Sequence, residues 1–130
     1  MKGIYALIIT LEEDKNICVG KLGPVDFKEG YYVYIGSALN SLECRINRHR
    51  RKDKKLHWHI DYLLNEGRIV EILCFETTKR LECTFARTFQ KTLDSIKNFG
   101  SSDCSCESHL FYSKENPIVL FEELSSLSAP

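Results

Sequence analysis

The sequence predicts a single α+β domain, a small and mainly antiparallel sheet flanked by about three helices. Three observations carry that expectation. Runs of strand length, rich in aliphatic, β-branched or aromatic residues, recur at 4–11, 31–35 and 69–75. Between and after them, apolar residues return at helical spacing over 42–51, 57–66 and 79–93. The 130 residues, 43% of them hydrophobic, suffice for one core without help from metals or disulfides.

Taken in order, Ile4 to Leu11 is an apolar run suited to a central strand. Glu12 to Asn16 is a polar turn, and Ile17-Cys18-Val19 reads as a short returning strand ended by Gly20. Gly23-Pro24 and Glu29-Gly30 are breakers that bound a loop. Tyr31 to Ile35 is aromatic and β-branched, hence the next strand. Asn40 or Ser41 offers an N-cap for a helix from Leu42 to about Arg51. His57 to Glu66 reads as a second helix with Ile60, Leu63 and Leu64 on one side, and Gly67 is placed to end it. Ile69 to Phe75 is a further strand, after which Thr77 or Thr78 caps a third helix over roughly Lys79 to Leu93. Gly100 to Cys106 is a loop. Leu110-Phe111-Tyr112 and Ile118 to Phe121 are short strands, or a strand and a terminal helical turn. The domain is expected over 1–124, with the Ser-rich 125–130 a flexible tail.

The net charge is zero, but it is unevenly spread. From Arg45 to His59 there are seven Lys or Arg against Asp53 alone, a segment of +6 that leaves the remainder at −6. One concentrated cationic segment on a neutral chain points to a polyanion-facing surface. No apolar stretch approaches the length of a membrane span, and no secretory h-region precedes the first strand. The six Cys then read as reduced thiols, and the expected location is cytoplasmic.

Gly3-Ile4-Tyr5 and Tyr34-Ile35-Gly36 each sit in a predicted strand, and either alone fits core packing. Their pairing with a following basic helix favours a phosphate site, which a strand-ending Gly36 would let approach the backbone closely. On that helix Leu42 and Ile46 face the core, while Arg45, His49 and Lys52 make an adjoining polar stripe. The stripe is either a solvated face or, lacking compensating acids, an anion contact suited to the planar fork of Arg. On the third helix Glu82 heads the otherwise apolar series Ala86, Phe89, Leu93. It is either an exposed first-turn acid or a carboxylate that needs a partner such as a metal.

These residues resemble the paired signature of the GIY-YIG nuclease superfamily. The longer strings Tyr34-Ile35-Gly36-Ser37-Ala38, Arg48-His49-Arg50, the segment 54–62 and the segment 102–110 are similar to its Uri-type branch. The resemblance covers nearly the whole chain. It implies Tyr5 and Tyr34 as the two motif tyrosines, Arg45 as the helix arginine, His49 as the polar residue one turn later and Glu82 as the metal-binding acid. It also implies hydrolysis of phosphodiesters with Mg²⁺ or Mn²⁺ on Glu82, nucleic acid as partner (DNA rather than RNA), and convergence of these residues on one concave site. Arg45, helped by His49, would stabilise charge on the phosphate, Tyr34 would orient water or phosphate, and Tyr5 would be the base. A phenol titrating near 10 needs nearby positive charge for that task. Ser37, Arg48, Arg50, Arg51, Lys52, Lys54, Lys55 and His57 are the expected nucleic-acid contacts. Three departures stand out: a long connection between the tyrosines, Ser37 where repair-type members often carry Lys, and no Asn after the third helix that matches the family's.

Cys104-Ser-Cys106-x-x-His109, with Cys83 from the third helix, would complete a Cys₃His zinc site, although one residue between the thiols is an uncommon spacing. Ordinary buried thiols are the alternative. Cys18, Cys44 and Cys74 fall in patterned elements as small core residues. His57 and His59 point to different helix faces and make a poor metal pair. Trp58 packs, and one of the two His meets a phosphate or a carboxylate such as Asp61. Three functions fit: a metal-dependent endonuclease, a nucleic-acid-binding module that does not cleave, or a zinc-stabilised interaction domain.

Overall fold

The structure is a computed structural model that describes residues 3–38, 41–51, 56, 58–77, 82–100 and 108–120, with Glu82, Val119 and Leu120 as backbone only. The tail expected at 125–130 lies outside these residues.

Five antiparallel strands form the central sheet in the order β5-β1-β4-β7-β6, with β1 Gly3–Leu11, β4 Gly30–Ala38, β5 Arg68–Glu76, β6 Asp94–Ser95 and β7 Leu110–Ser113. A separate two-stranded hairpin joins β2 Lys15–Val19 to β3 Gly23–Phe27. The helices are α1 Leu42–Arg50, α2 His59–Leu64 and α3 Glu82–Gln90, and 3-10 turns occupy Gly20–Leu22 and Pro117–Leu120. This is the α+β architecture expected from the sequence.

β1 is paired on both sides, to β4 and to β5. Because successive side chains leave opposite faces of a strand, Tyr5, Leu7, Ile9 and Leu11 enter one core layer, and Ile4, Ala6 and Ile8 the other. A strand buried on both faces needs an apolar residue at every position, which is why this run shows no alternation. The Tyr5 face is closed by Leu42 and Ile46 of α1, by Ile60, Leu63 and Leu64 of α2, and by Val19 and Phe27 of the hairpin. The opposite face is closed by Phe85, Ala86 and Phe89 of α3. Each Val, Leu, Ile or Phe among them contributes about 1.5–3 kcal/mol when fully buried.

Some boundaries differ from expectation, each for a local reason. The breakers Gly23-Pro24 open a strand instead of a loop. Val25 pairs with Ile17, and Pro24 sits opposite Cys18. The missing N–H of Pro24 is tolerated because, among the described residues, no strand pairs with the outer side of β3. β4 runs on through Gly36 to Ala38. Ser41 is the N-cap of α1, its hydroxyl accepting from the Cys44 N–H at 3.2 Å. α2 is shorter than expected, with the Gly67 N–H donating to the Leu63 carbonyl at 2.8 Å where the chain leaves it. Cys18, Cys44 and Cys74 are exposed, not core residues. Cys44 lies off the buried Leu42–Ile46–His49 face of α1, and Cys74 stands on the edge strand β5.

Candidate functional site

Strand pairing places Tyr5 directly opposite Gly36 and leaves Tyr34 two residues away on the same face. A Cβ built on Gly36 would overlap the Tyr5 ring and hydroxyl. The Tyr5 ring therefore makes a close approach to Gly36. The two tyrosine rings are 6.3 Å apart between centroids.

α1 lies across this face and inserts His49 beside them. His49 follows Leu42 and Ile46 at i, i+4 and i+7, so it belongs to the buried face of the helix and is only 2% exposed. This corrects its expected place in the exposed polar stripe with Arg45. Its Nε2 is 2.7 Å from the Tyr5 hydroxyl in a buried hydrogen bond. With neutral Nε2 the phenol donates; with Nε2–H the phenol oxygen accepts. Either way one proton is shared along a defined line. The His49 ring centroid is 5.3 Å from that of Tyr5 and 6.2 Å from that of Tyr34.

Arg45, one turn earlier on α1, donates from Nη1 to the Ser37 carbonyl at 3.2 Å and lies 4.4 Å over the Trp58 ring. Among the described residues no carboxylate pairs with it, so its remaining N–H groups suit an anion. Arg48 differs. It makes a bidentate pair with the buried Asp61 at 2.8 and 2.9 Å, and that hydrogen-bonded carboxylate raises its pKa. Arg50 and Arg51 are exposed at the end of α1. Lys52, Lys54, Lys55 and His57 lie outside the described residues.

A loop glycine closes the other side of Tyr34. Gly100 adopts φ 69°, and a Cβ there would stand 3.1 Å from Tyr34 Cε1. Its N–H donates to His59 Nδ1 at 2.9 Å, and burial lowers the His59 pKa. His59 is thus occupied by a loop backbone. Asp61, the carboxylate expected to meet a histidine, accepts from Arg48 and from the Trp58 N–H, while His57 lies outside the described residues.

The structure therefore brings Tyr5, Tyr34, His49 and Arg45 together on one face. It does not bring Glu82 to them by any described contact. The body of α3 packs on the opposite face through Phe85, Ala86 and Phe89, and the Glu82 side chain lies outside the described residues. In its first turn Cys83 Sγ is 3.9 Å from His109 Nε2, and the His109 carbonyl accepts from the Ile35 N–H. Among the described residues no three His, Cys, Asp or Glu converge, so they do not by themselves form a metal site. Zinc bonded tetrahedrally to one thiolate and one imidazole would hold them about 3.6 Å apart, close to the Cys83–His109 separation. Cys104 and Cys106 lie outside the described residues.

Trp58 and Asp61 were not legible as site residues. Asp61 follows Arg48 by thirteen positions, a spacing that no helical or strand period connects, so only the packing of α2 on α1 reveals the pair.

A family described as Domain of unknown function DUF123 matches residues 4–128. Neither the curated proteins nor the solved structures give a match to the chain. Among the described residues, no helix is long and apolar enough to cross a membrane.

Proposed function

The chain belongs to the DUF123 family, and from that premise, which brings no activity with it, we propose that it hydrolyses phosphodiester bonds in nucleic acid, DNA in preference to RNA. On this reading it works in the manner of the GIY-YIG nucleases. The observation that carries the proposal is the 2.7 Å hydrogen bond between Tyr5 and His49, with Tyr34 and Arg45 beside it. That pair would take the proton from a water attacking phosphorus. As the P–O bond to the leaving oxygen breaks, that oxygen takes up a proton from solvent water. Arg45 would hold the phosphate oxygens as charge builds on them, and Tyr34 would orient water or phosphate.

A divalent cation is part of the proposal. Glu82 would hold Mg²⁺ or Mn²⁺ with water completing its shell, and the ion would offset charge on the phosphate. Cytoplasmic location is proposed too, since the described cysteines are free thiols.

One observation favours a second reading, a binding module that does not cleave. Tyr5 and His49 are 1% and 2% exposed, so the pair is screened from bulk water. Under that reading the Tyr–His bond is structural and the cationic segment alone does the work. Incubation with duplex, single-stranded and branched DNA and with RNA, in Mg²⁺ or Mn²⁺, separates the two. The nuclease reading expects metal-dependent cleavage that Glu82→Ala abolishes while binding survives. An inert wild-type protein that still binds would leave the module.

A further inference from the structure

Asp61 is fully buried, and both of its oxygens are used. Oδ1 accepts from Arg48 Nη1, while Oδ2 accepts from Arg48 Nη2 and from the Trp58 backbone N–H at 2.8 Å. A carboxylate with no exposure persists only when so satisfied, and here a single one ties α1 to the entry of α2. The consequence appears at Trp58. The Arg48 guanidinium lies 4.0 Å from its ring centroid, the Arg45 guanidinium lies 4.4 Å from it, and the His49 ring is 5.7 Å away. Arg48 is neutralised by Asp61, whereas Arg45 meets no carboxylate among the described residues. One indole thus carries a spent cation and an available one.

We propose that Trp58 and Asp61 are positioning residues that hold the Arg45 guanidinium between the indole face and the Ser37 carbonyl, so that its free edge meets phosphate at a fixed angle. Asp61 acts by locking Arg48 and the Trp58 backbone; Trp58 acts by offering Arg45 a flat face that an aliphatic side chain lacks. The inference rests on the phosphate-binding reading of Arg45 given above.

The test is a coupling measurement. A fluorescein-labelled DNA duplex is titrated, at low salt and without divalent metal, with wild type, Arg45→Met, Trp58→Leu, Trp58→Phe and the Arg45→Met/Trp58→Leu double variant. Thermal melts check that each is folded. Trp58→Leu should weaken binding on the order of tenfold, and Trp58→Phe should recover part of it. In the Arg45→Met background Trp58→Leu should add less than about twofold, because the two residues act through one contact. An equal loss in both backgrounds would show Trp58 as a purely structural residue and overturn the inference. If Arg45→Met itself left affinity unchanged, the phosphate reading of Arg45 would fall and the inference with it. Asp61→Asn should follow Trp58→Leu. Should it not fold, the Trp58 series decides alone.

Discussion

Gly36 lacks a side chain in a strand where one would be expected, and the Tyr5 ring fills that space. The sequence marked both residues but not their relation, since a cross-strand pair is set by register, which no local spacing encodes. Gly36→Ala should therefore displace Tyr5, 1% exposed and unable to yield, at a cost of about 1–3 kcal/mol for overpacking. Urea unfolding measures it, and an unchanged midpoint would contradict the packing described. His49 was legible as a candidate but misplaced, because a histidine on a basic helix reads as polar until Leu42 and Ile46 are seen to share its face. Its bond to Tyr5 makes a second prediction. His49→Leu removes this partner of a buried hydroxyl and should cost about 1–3 kcal/mol, whereas adding Tyr5→Phe should recover part of the loss. Additive losses in the double variant would show that the bond contributes nothing to stability.

At the scale of elements, β1, β4, β5, α1 and the apolar stripe of α3 were legible, since each declares itself by length and periodicity. β3 was not, because Pro24 and Asp26 interrupt an alternation that only pairing with β2 makes visible. Two predictions belong here. The Gly100 loop is held to α2 by His59 Nδ1, an acceptor that protonation removes. Burial lowers the folded pKa of His59 below the ordinary value near 6.5, so between those values the unfolded chain binds more protons. Stability should hold above about pH 6.5 and decline as pH falls through the folded value. Melting temperatures across that window should fall less for His59→Asn, which keeps an acceptor and does not titrate; parallel curves would remove His59 from the account. The Cys83–His109 contact sets the other. Protein prepared without chelators should carry about one equivalent of zinc, which Cys83→Ser or Cys104→Ser should lose together with thermal stability. Metal-free wild-type protein would leave these as ordinary thiols.

At the scale of the whole molecule, the segment from Arg45 to His59 is +6 and the rest of the chain −6. That asymmetry was fully legible, because charge is additive along a sequence. The sharing of labour within it was not: Arg48 is neutralised by Asp61, and Arg45 rests on Trp58. Affinity for DNA should fall steeply with salt, and charge reversal at Lys54 and Lys55 should weaken binding to all sequences alike and flatten the salt slope. An unchanged slope would place the polyanion surface elsewhere. The central claim is that the Tyr5–His49 pair performs the proton transfer of phosphodiester cleavage, and a single-turnover rate with saturating enzyme and Mg²⁺ or Mn²⁺ tests it most directly. Tyr5→Phe keeps the ring against Gly36 and removes only the oxygen, so the account predicts a folded protein, unchanged DNA affinity and a rate lowered on the order of 10² or more. A folded Tyr5→Phe protein that cleaves at the wild-type rate would contradict it.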